Sequence, residues 1–157
     1  MTIQNGKQLI VLGKMAELET AVSLLYEAYA ALFPDYSQFW SDLVDEEKQH
    51  FVWVQELRSR VEKGTAYFND NRFNILAIQN YINYLQDELE KAKGRTLLNA
   101  LSIAKYNEES MIEQKYFNIV EGDSDELKQT LRKLANATQS HITRVREALD
   151  SYKKTLQ

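Results

Sequence analysis

Apolar side chains recur every three or four residues along most of the chain, the spacing that places them on one face of an α-helix. The first run, from about 7 to 33, contains Leu12, Met15, Val22, Leu25, Tyr26, Tyr29 and Phe33. Pro34 cannot continue that helix, and a second apolar run extends from about 36 to 63, where Gly64 ends it. Because the turn between the two runs is short, the pattern predicts two antiparallel neighbouring helices.

Residues 65–74 are predicted to form a loop, and three further apolar runs follow it. A shorter helix is predicted at about 75–92, and two longer ones at about 95–120 and 124–155. Gly122 separates the last two, and Asp123 with Glu126 three residues later is typical of a helix cap. A crossover helix of about 18 residues spans roughly 27 Å, the length of a helical bundle. The sequence therefore predicts two antiparallel hairpins joined by a long crossover, all within one domain, 1–157.

Composition supports an all-α fold and narrows the choice of partners. One Pro and five Gly in 157 residues are too few for a turn-rich β protein. A formal net charge of −4 gives no electrostatic reason to expect a nucleic-acid partner. The absence of cysteine excludes disulfides, thiolate metal sites and thiol catalysis. No apolar run is long enough to cross a membrane, and we expect a soluble, cytoplasmic protein.

The chain has only two histidines, and both fall within apolar stripes. His50 lies between Leu43 and Val54 on the second helix, and His141 lies between Leu134 and Val145 on the last one. For a single histidine on an apolar face, a satisfied core residue is the ordinary interpretation. Two such histidines with acidic residues beside them favour a metal site.

Carboxylates occupy inward positions on three of the four long predicted helices. Glu47 precedes His50 by three residues and shares its side of the helix, while Glu19 and Glu108 lie on the apolar faces of their own helices. Burying such carboxylates without compensation is costly, and a divalent cation offsets that cost. Oxygen and imidazole ligands suit Fe, Mn or Zn, and two neighbouring metals bridged by Glu would favour Fe or Mn, so we expect one or two ions per chain.

These residues resemble the ferritin-like, rubrerythrin-type carboxylate proteins, in which two helices give one Glu each and the other two give Glu-x-x-His. Glu19 with Tyr26 seven residues later is similar to the first-helix motif, and Glu47-Lys-Gln-His50 to the second. Glu109 and Tyr116 repeat the seven-residue spacing, although Glu108 faces the core better. His141 falls where the histidine of the fourth helix is expected. The resemblance covers both hairpins and implies a ferritin-like four-helix bundle.

The chain departs from that pattern at one ligand position. Thr138 stands three residues before His141, where the family has its second Glu-x-x-His glutamate. Lys105 also points near the core and is expected to substitute for the charge of a metal. Three further acids are alternative ligands that would compensate for the missing carboxylate: Glu46, Glu109 and Glu113.

The resemblance implies a function in iron or oxidative-stress handling. Glu and His would hold Fe(II), and O₂ or peroxide would react there, as in a di-iron oxidase or peroxidase of rubrerythrin type. Tyr26 is a candidate redox residue. Because the chain lacks cysteine, an external electron donor would be required.

Two alternatives remain open from the sequence. Thr138 and Lys105 favour a bundle whose site has decayed and which now acts as a structural or interaction module. Iron storage is the other alternative, and it requires a large closed shell, whereas the remaining hypotheses allow a monomer or homodimer.

Overall fold

A computed structural model describes residues 3–69, 73–113, 118–119 and 122–157, and these residues form helices and loops without any β-strand. Five α-helices account for most of this part of the chain: α1 (Ile3–Leu32), α2 (Ser37–Glu62), α3 (Ile75–Lys91), α4 (Leu97–Glu113) and α5 (Asp125–Thr155). A 3₁₀ turn at Pro34–Tyr36 connects α1 to α2. The all-α class predicted from the sequence is therefore confirmed.

The helix boundaries agree closely with the apolar pattern except near residue 120. Helix α1 begins about one turn before its predicted start. The fourth helix was expected to continue to 120, but Asn118 and Ile119 are not helical, and Ile119 is 37% exposed rather than in the core. Asn, β-branched residues and Gly122 have low helix propensity, which disfavours helix here. Tyr116 lies outside the described residues.

Ser124, not Asp123, caps the N-terminus of α5, which corrects the sequence prediction. Its hydroxyl oxygen accepts hydrogen bonds from the backbone amides of Leu127 at 3.4 Å and Tyr67 at 3.1 Å. Ser124 has extended backbone angles (φ −64°, ψ 153°), as an N-cap residue does. Gly122 just before it has φ +96°, a conformation that side-chain-bearing residues rarely adopt.

The helices pack in pairs around a shared interior. Helix α1 packs against α2 and α3, α4 packs against α5, and α2 contacts α5. Tyr26 on α1 donates a hydrogen bond to Glu108 on α4 at 2.9 Å, and Tyr81 on α3 donates one to Asn107 at 2.7 Å. Over the described residues, none of the helices combines the length and apolar character that a membrane crossing requires.

Aromatic rings fill the interior beside the hairpin turn between α1 and α2. Tyr26, Tyr29 and Trp40 are completely buried, and Trp40 lies 5.5 and 4.9 Å from the two tyrosine rings, centroid to centroid. Such ring contacts contribute beyond their buried area. This packing fixes α1 against α2 on one side of the polar cluster described next.

Candidate metal centre

Five ionisable side chains from α1, α2, α4 and α5 converge in the interior, and all are at most 3% exposed: Glu19, Glu47, His50, Glu108 and His141. These are the five metal ligands predicted from the sequence. Each lies on the apolar face of its helix, so the packing that buries the neighbouring leucines and valines also brings these side chains together.

One group of three potential ligands comes from the α1–α2 hairpin. The Nδ1 atom of His50 lies 3.5 Å from Oε2 of Glu19 and 3.3 Å from Oε2 of Glu47. One ligand atom from each of the three residues falls within 4.8 Å of the others. Glu47 and His50 meet because a separation of three residues places them on the same side of α2.

A second group joins three helices. The Nδ1 atom of His141 lies 3.0 Å from Oε1 of Glu47 and 3.4 Å from Oε1 of Glu108. These three residues also offer ligand atoms within 4.8 Å of one another. Glu47 thus belongs to both groups, with one oxygen directed toward each histidine.

Several buried atoms of this cluster lack a satisfactory hydrogen bond within the described part of the chain. Although ring nitrogens lie 3.0 to 3.5 Å from the carboxylates, five atoms remain without a well-oriented partner: Glu19 Oε2, Glu47 Oε1 and Oε2, Glu108 Oε2 and His141 Nε2. Buried polar atoms are normally paired. The four carboxylate oxygens are hard donors that suit a divalent cation, so the residues present fit a metal ion.

The three carboxylates differ strongly in their affinity for protons. Burial, and then the neighbouring Glu47 charge, raise the pKa of both Glu19 and Glu108 above the ordinary glutamate value. Burial also acts to raise the pKa of Glu47, but its close neighbours Glu19, His141 and His50 outweigh it and lower that pKa. Glu47 is therefore the carboxylate that retains its negative charge most readily.

The two histidines are stabilised as cations when no metal is bound. Burial lowers the pKa of each imidazole, but the adjacent carboxylates outweigh it and raise the pKa of both His50 and His141 from 6.5 to about 10. For His50 these carboxylates are Glu19 and Glu47, and for His141 they are Glu108 and Glu47. A metal ion must displace these protons, because only neutral imidazole binds it.

A cavity of about 240 Å³ between α1 and α2 reaches one side of the cluster. Its wall includes Glu19 and Glu47, together with Ser23, Glu27, Lys48 and Phe51. Glu108 and His141 do not line it. The cavity offers small solutes a route to the Glu19 side of the cluster.

Two predicted features of the site have clear positions in the structure. Thr138 is buried, so the position where the sequence comparison expected a carboxylate lies in the interior but has no charge. Tyr26, the candidate redox residue, is buried, and its hydroxyl donates a hydrogen bond to the Glu108 carboxylate. Burial and the charges of Glu108 and Glu47 raise the pKa of that phenol well above 10, so it remains protonated.

Of the alternative acids, Glu109 lies outside the cluster, whereas Glu46 reaches its edge, with Oε1 3.7 Å from Nε2 of His141. Glu109 forms an ion pair with Arg146 at 2.8 Å, and Glu46 pairs with Arg144 at 2.7 Å. The side chain of Glu113 is outside the described residues. Lys105 is 41% exposed and lies 3.7 Å from Glu109, so the expectation that it points toward the core and substitutes for a metal charge is wrong. Its position four residues before Glu109 favours a surface pair instead.

Sequence reasoning missed two further neighbours of the site, Trp53 beside His50 and Arg144 beside Glu46. Trp53 stacks on His50 with ring centroids 5.4 Å apart, and Glu46 Oε1 lies 3.7 Å from Nε2 of His141. Glu46 is in turn held by Arg144. Trp53 and Arg144 each follow a histidine by three residues, a helical spacing that could have indicated both contacts. Such neighbours fix ring orientation at metal sites.

A comparison of the chain with known protein families, curated proteins and solved structures finds no match. The buried carboxylates and imidazoles are thus the observations from which a class of protein can be argued. They define a helical protein with groups that can bind a metal ion.

Proposed function

We propose that this chain is a ferritin-like, rubrerythrin-type carboxylate protein that binds iron in its core. Two helical hairpins, α1–α2 and α4–α5, with α3 as the crossover, agree with that class. So does a ligand set in which α1 and α4 give one glutamate each and α2 gives Glu-x-x-His.

The observation that carries the proposal is the position of Glu47. Its two oxygens lie 3.3 and 3.0 Å from the Nδ1 atoms of His50 and His141, so one carboxylate serves two groups of ligands. A bridging carboxylate is the arrangement expected where two cations lie side by side, and Fe or Mn are the ions that such a site favours.

Iron held by these residues would supply electron transfer to O₂ or peroxide. The chain itself contributes binding, orientation and access. Glu19 with His50 and Glu108 with His141 would provide the remaining ligands of two metal positions, and Tyr26 orients Glu108 through its hydroxyl. The cavity beside Glu19 and Glu47 supports access by a small oxidant from the α1–α2 surface.

One observation favours a second candidate function, a structural or interaction module with a decayed site. Thr138 is buried where a fourth carboxylate would lie, and an uncharged residue there weakens binding of a second cation. The protonated histidines offset the negative charge of the neighbouring carboxylates without a metal. In this alternative the charge cluster only specifies how the helices pack.

Metal content after anaerobic reconstitution with Fe(II) tests the proposal. The wild-type protein should retain one or two ions per chain after desalting, and His50→Ala/His141→Ala should retain none. Glu47→Gln should also lose metal, whereas Glu56→Gln, an exposed glutamate on the same helix, should bind as the wild type does. Equal metal retention in wild type and the double histidine variant would refute the proposal.

Thermal unfolding separates metal binding from the structural alternative. Ligands that bind only the folded state raise its stability by mass action. Adding Fe(II) or Mn(II) under anaerobic conditions should therefore raise the melting temperature, and a chelator should lower it again. A melting temperature that neither addition changes favours the structural module.

Iron storage would require a large closed shell, which size-exclusion chromatography would detect.

A further inference from the structure

A second, larger cavity lies outside the metal centre, in a groove bounded by α1, α2 and α3. It measures about 610 Å³, within the usual range for small-molecule sites. Its walls are mainly apolar: Leu9, Leu24, Phe51, Ile82, Leu85 and Leu89. Leu24 is 47% exposed and Ile10 at the same groove is 53% exposed, so the apolar surface is open to a ligand.

The groove contains one cation whose charge no neighbouring carboxylate balances. The guanidinium of Arg58 lies against Gly13 of α1, 3.9 Å from where a side chain there would begin. Its Nε atom is buried without a hydrogen-bond partner, and among the described residues no carboxylate pairs with this arginine. The other charged residues of the groove, Lys14 and Glu17, pair with each other at 3.2 Å.

We propose that this groove binds a free, single-chain aliphatic carboxylate. The carboxylate accepts hydrogen bonds from Arg58, whose planar guanidinium matches it in geometry. The aliphatic chain lies along the groove toward Leu24 and Phe51. Gly13 and Thr20 are seven residues apart on α1, so this part of the groove is roughly 10 Å long, which suits a chain of medium length.

The groove adjoins the cavity that reaches the metal centre. Thr20, Leu24 and Phe51 line both cavities. The far end of the bound molecule therefore points toward the cavity wall formed by Glu19 and Glu47. Binding itself requires no metal, because Arg58 and the apolar walls do not belong to the ligand cluster.

The shape and charge of the groove favour a small molecule over a second copy of the chain. The volume of the groove, about 610 Å³, is within the range of small-molecule sites. A self-complementary contact would also place apolar surface over the unpaired Arg58 cation, leaving its charge unbalanced, which is costly.

Calorimetric titration of the full chain with decanoate tests the inference, on chelator-treated and untreated protein. Binding should saturate at one molecule per chain. Arg58→Gln should weaken binding at least about tenfold, because a charged hydrogen bond is lost. Arg60→Gln, at an exposed arginine two residues away on α2, should leave it unchanged. Decylammonium, which has the same chain and the opposite charge, should bind at least about tenfold more weakly than decanoate.

Three results would overturn the inference. These are equal binding of decanoate and decylammonium, unchanged affinity in a folded Arg58→Gln, and uptake that never saturates. Leu24→Arg is a second variant that blocks the groove from α1 and should abolish binding. If that variant instead converts a wild-type dimer to a monomer, the groove is covered by a second copy and the inference is wrong. None of these results depends on whether iron binds, so the two proposals can fail separately.

Discussion

The imidazole rings of His50 and His141 stack on each other, with centroids 5.2 Å apart and planes inclined by 20°. The rings come from α2 and α5, two helices that are far apart in the sequence. Each directs its Nδ1 atom toward a different oxygen of Glu47. The stacked pair therefore places two nitrogen donors side by side on a single carboxylate, and the predictions below depend on that arrangement.

Glu47 should matter for both metal positions, and Glu19 for only one. We expect Glu47→Gln to lower the affinity for every bound ion, because the amide removes the charge that both groups share. Glu19→Gln should weaken only the position that contains His50. Competitive titration with Mn(II), followed by electron paramagnetic resonance, measures the metal affinity of both variants. Identical losses in the two variants would contradict the shared role of Glu47.

Thr138→Glu should make the metal-free protein less stable and the metal-bound protein more stable. A buried carboxylate without a partner costs at least about 1–3 kcal/mol, so the melting temperature of the chelator-treated variant should fall. With Fe(II) or Mn(II) present, the new carboxylate gains a partner, and the number of ions per chain should reach two. Thr138→Gln, similar in size but uncharged, is the control. A variant that gains no metal shows that residue 138 does not face the ions.

The metal-free protein should lose stability as the pH rises above neutral. His50 and His141 have folded-state pKa values raised to about 10 from 6.5, so the folded state binds their protons more strongly than the unfolded state does. The resulting stabilisation is complete below pH 6.5 and is lost as the pH rises toward 10. The loss should be on the order of a few kcal/mol, or roughly 5–10 °C in melting temperature.

The pH dependence of metal affinity provides a control for this prediction. Metal binding requires neutral imidazoles, so metal affinity should rise over the same pH interval in which metal-free stability falls. His50→Gln/His141→Gln should show a flatter stability profile, since glutamine has no proton to lose. A wild-type melting temperature that stays constant from pH 6.5 to 10 would rule out cationic histidines in the folded protein.

Tyr26→Phe should destabilise the protein more than Tyr29→Phe, although both remove one buried hydroxyl. Tyr26 donates a 2.9 Å hydrogen bond to Glu108, and a bond to a charged group contributes about 1.5–3 kcal/mol. The hydroxyl of Tyr29 has no hydrogen-bond partner among the described residues, so its removal should be nearly neutral. Urea unfolding measures the difference. Equal losses would mean that the bond to Glu108 does not stabilise the folded state.

The same pair of variants also tests whether Tyr26 acts on the metal. A contact that orients a ligand typically changes metal affinity about 10–100-fold. Tyr26→Phe should therefore weaken the position containing Glu108, and Tyr29→Phe should leave it unchanged.

The helices could be predicted well because their apolar spacing is long and regular. Leu12, Val22, Leu25 and Tyr26 were placed on the buried face of α1, and all are buried. The prediction was wrong where propensity is weak, as at Ile119. It was also wrong at the start of α5, where Ser124 and Asp123 are both good caps and only backbone geometry distinguishes them.

The candidate site could be predicted as a set of residues but not as a geometry. Helical periodicity placed Glu19, Glu47 and Glu108 on inner faces, and the structure brings them together. Periodicity cannot give the rotation of one helix relative to another, so the division of Glu47 between two histidines was not predicted. Periodicity also does not show in which direction a long side chain extends. For this reason the prediction that Lys105 points toward the core was wrong.

Thr138 has a consequence for the charge that the core can hold. The cluster offers at most three negative charges, from Glu19, Glu47 and Glu108. One divalent ion leaves it with a surplus of negative charge that a single proton balances. Two divalent ions leave a surplus of positive charge, which a small anion from solvent would have to neutralise. The cavity beside Glu19 is wide enough to admit one.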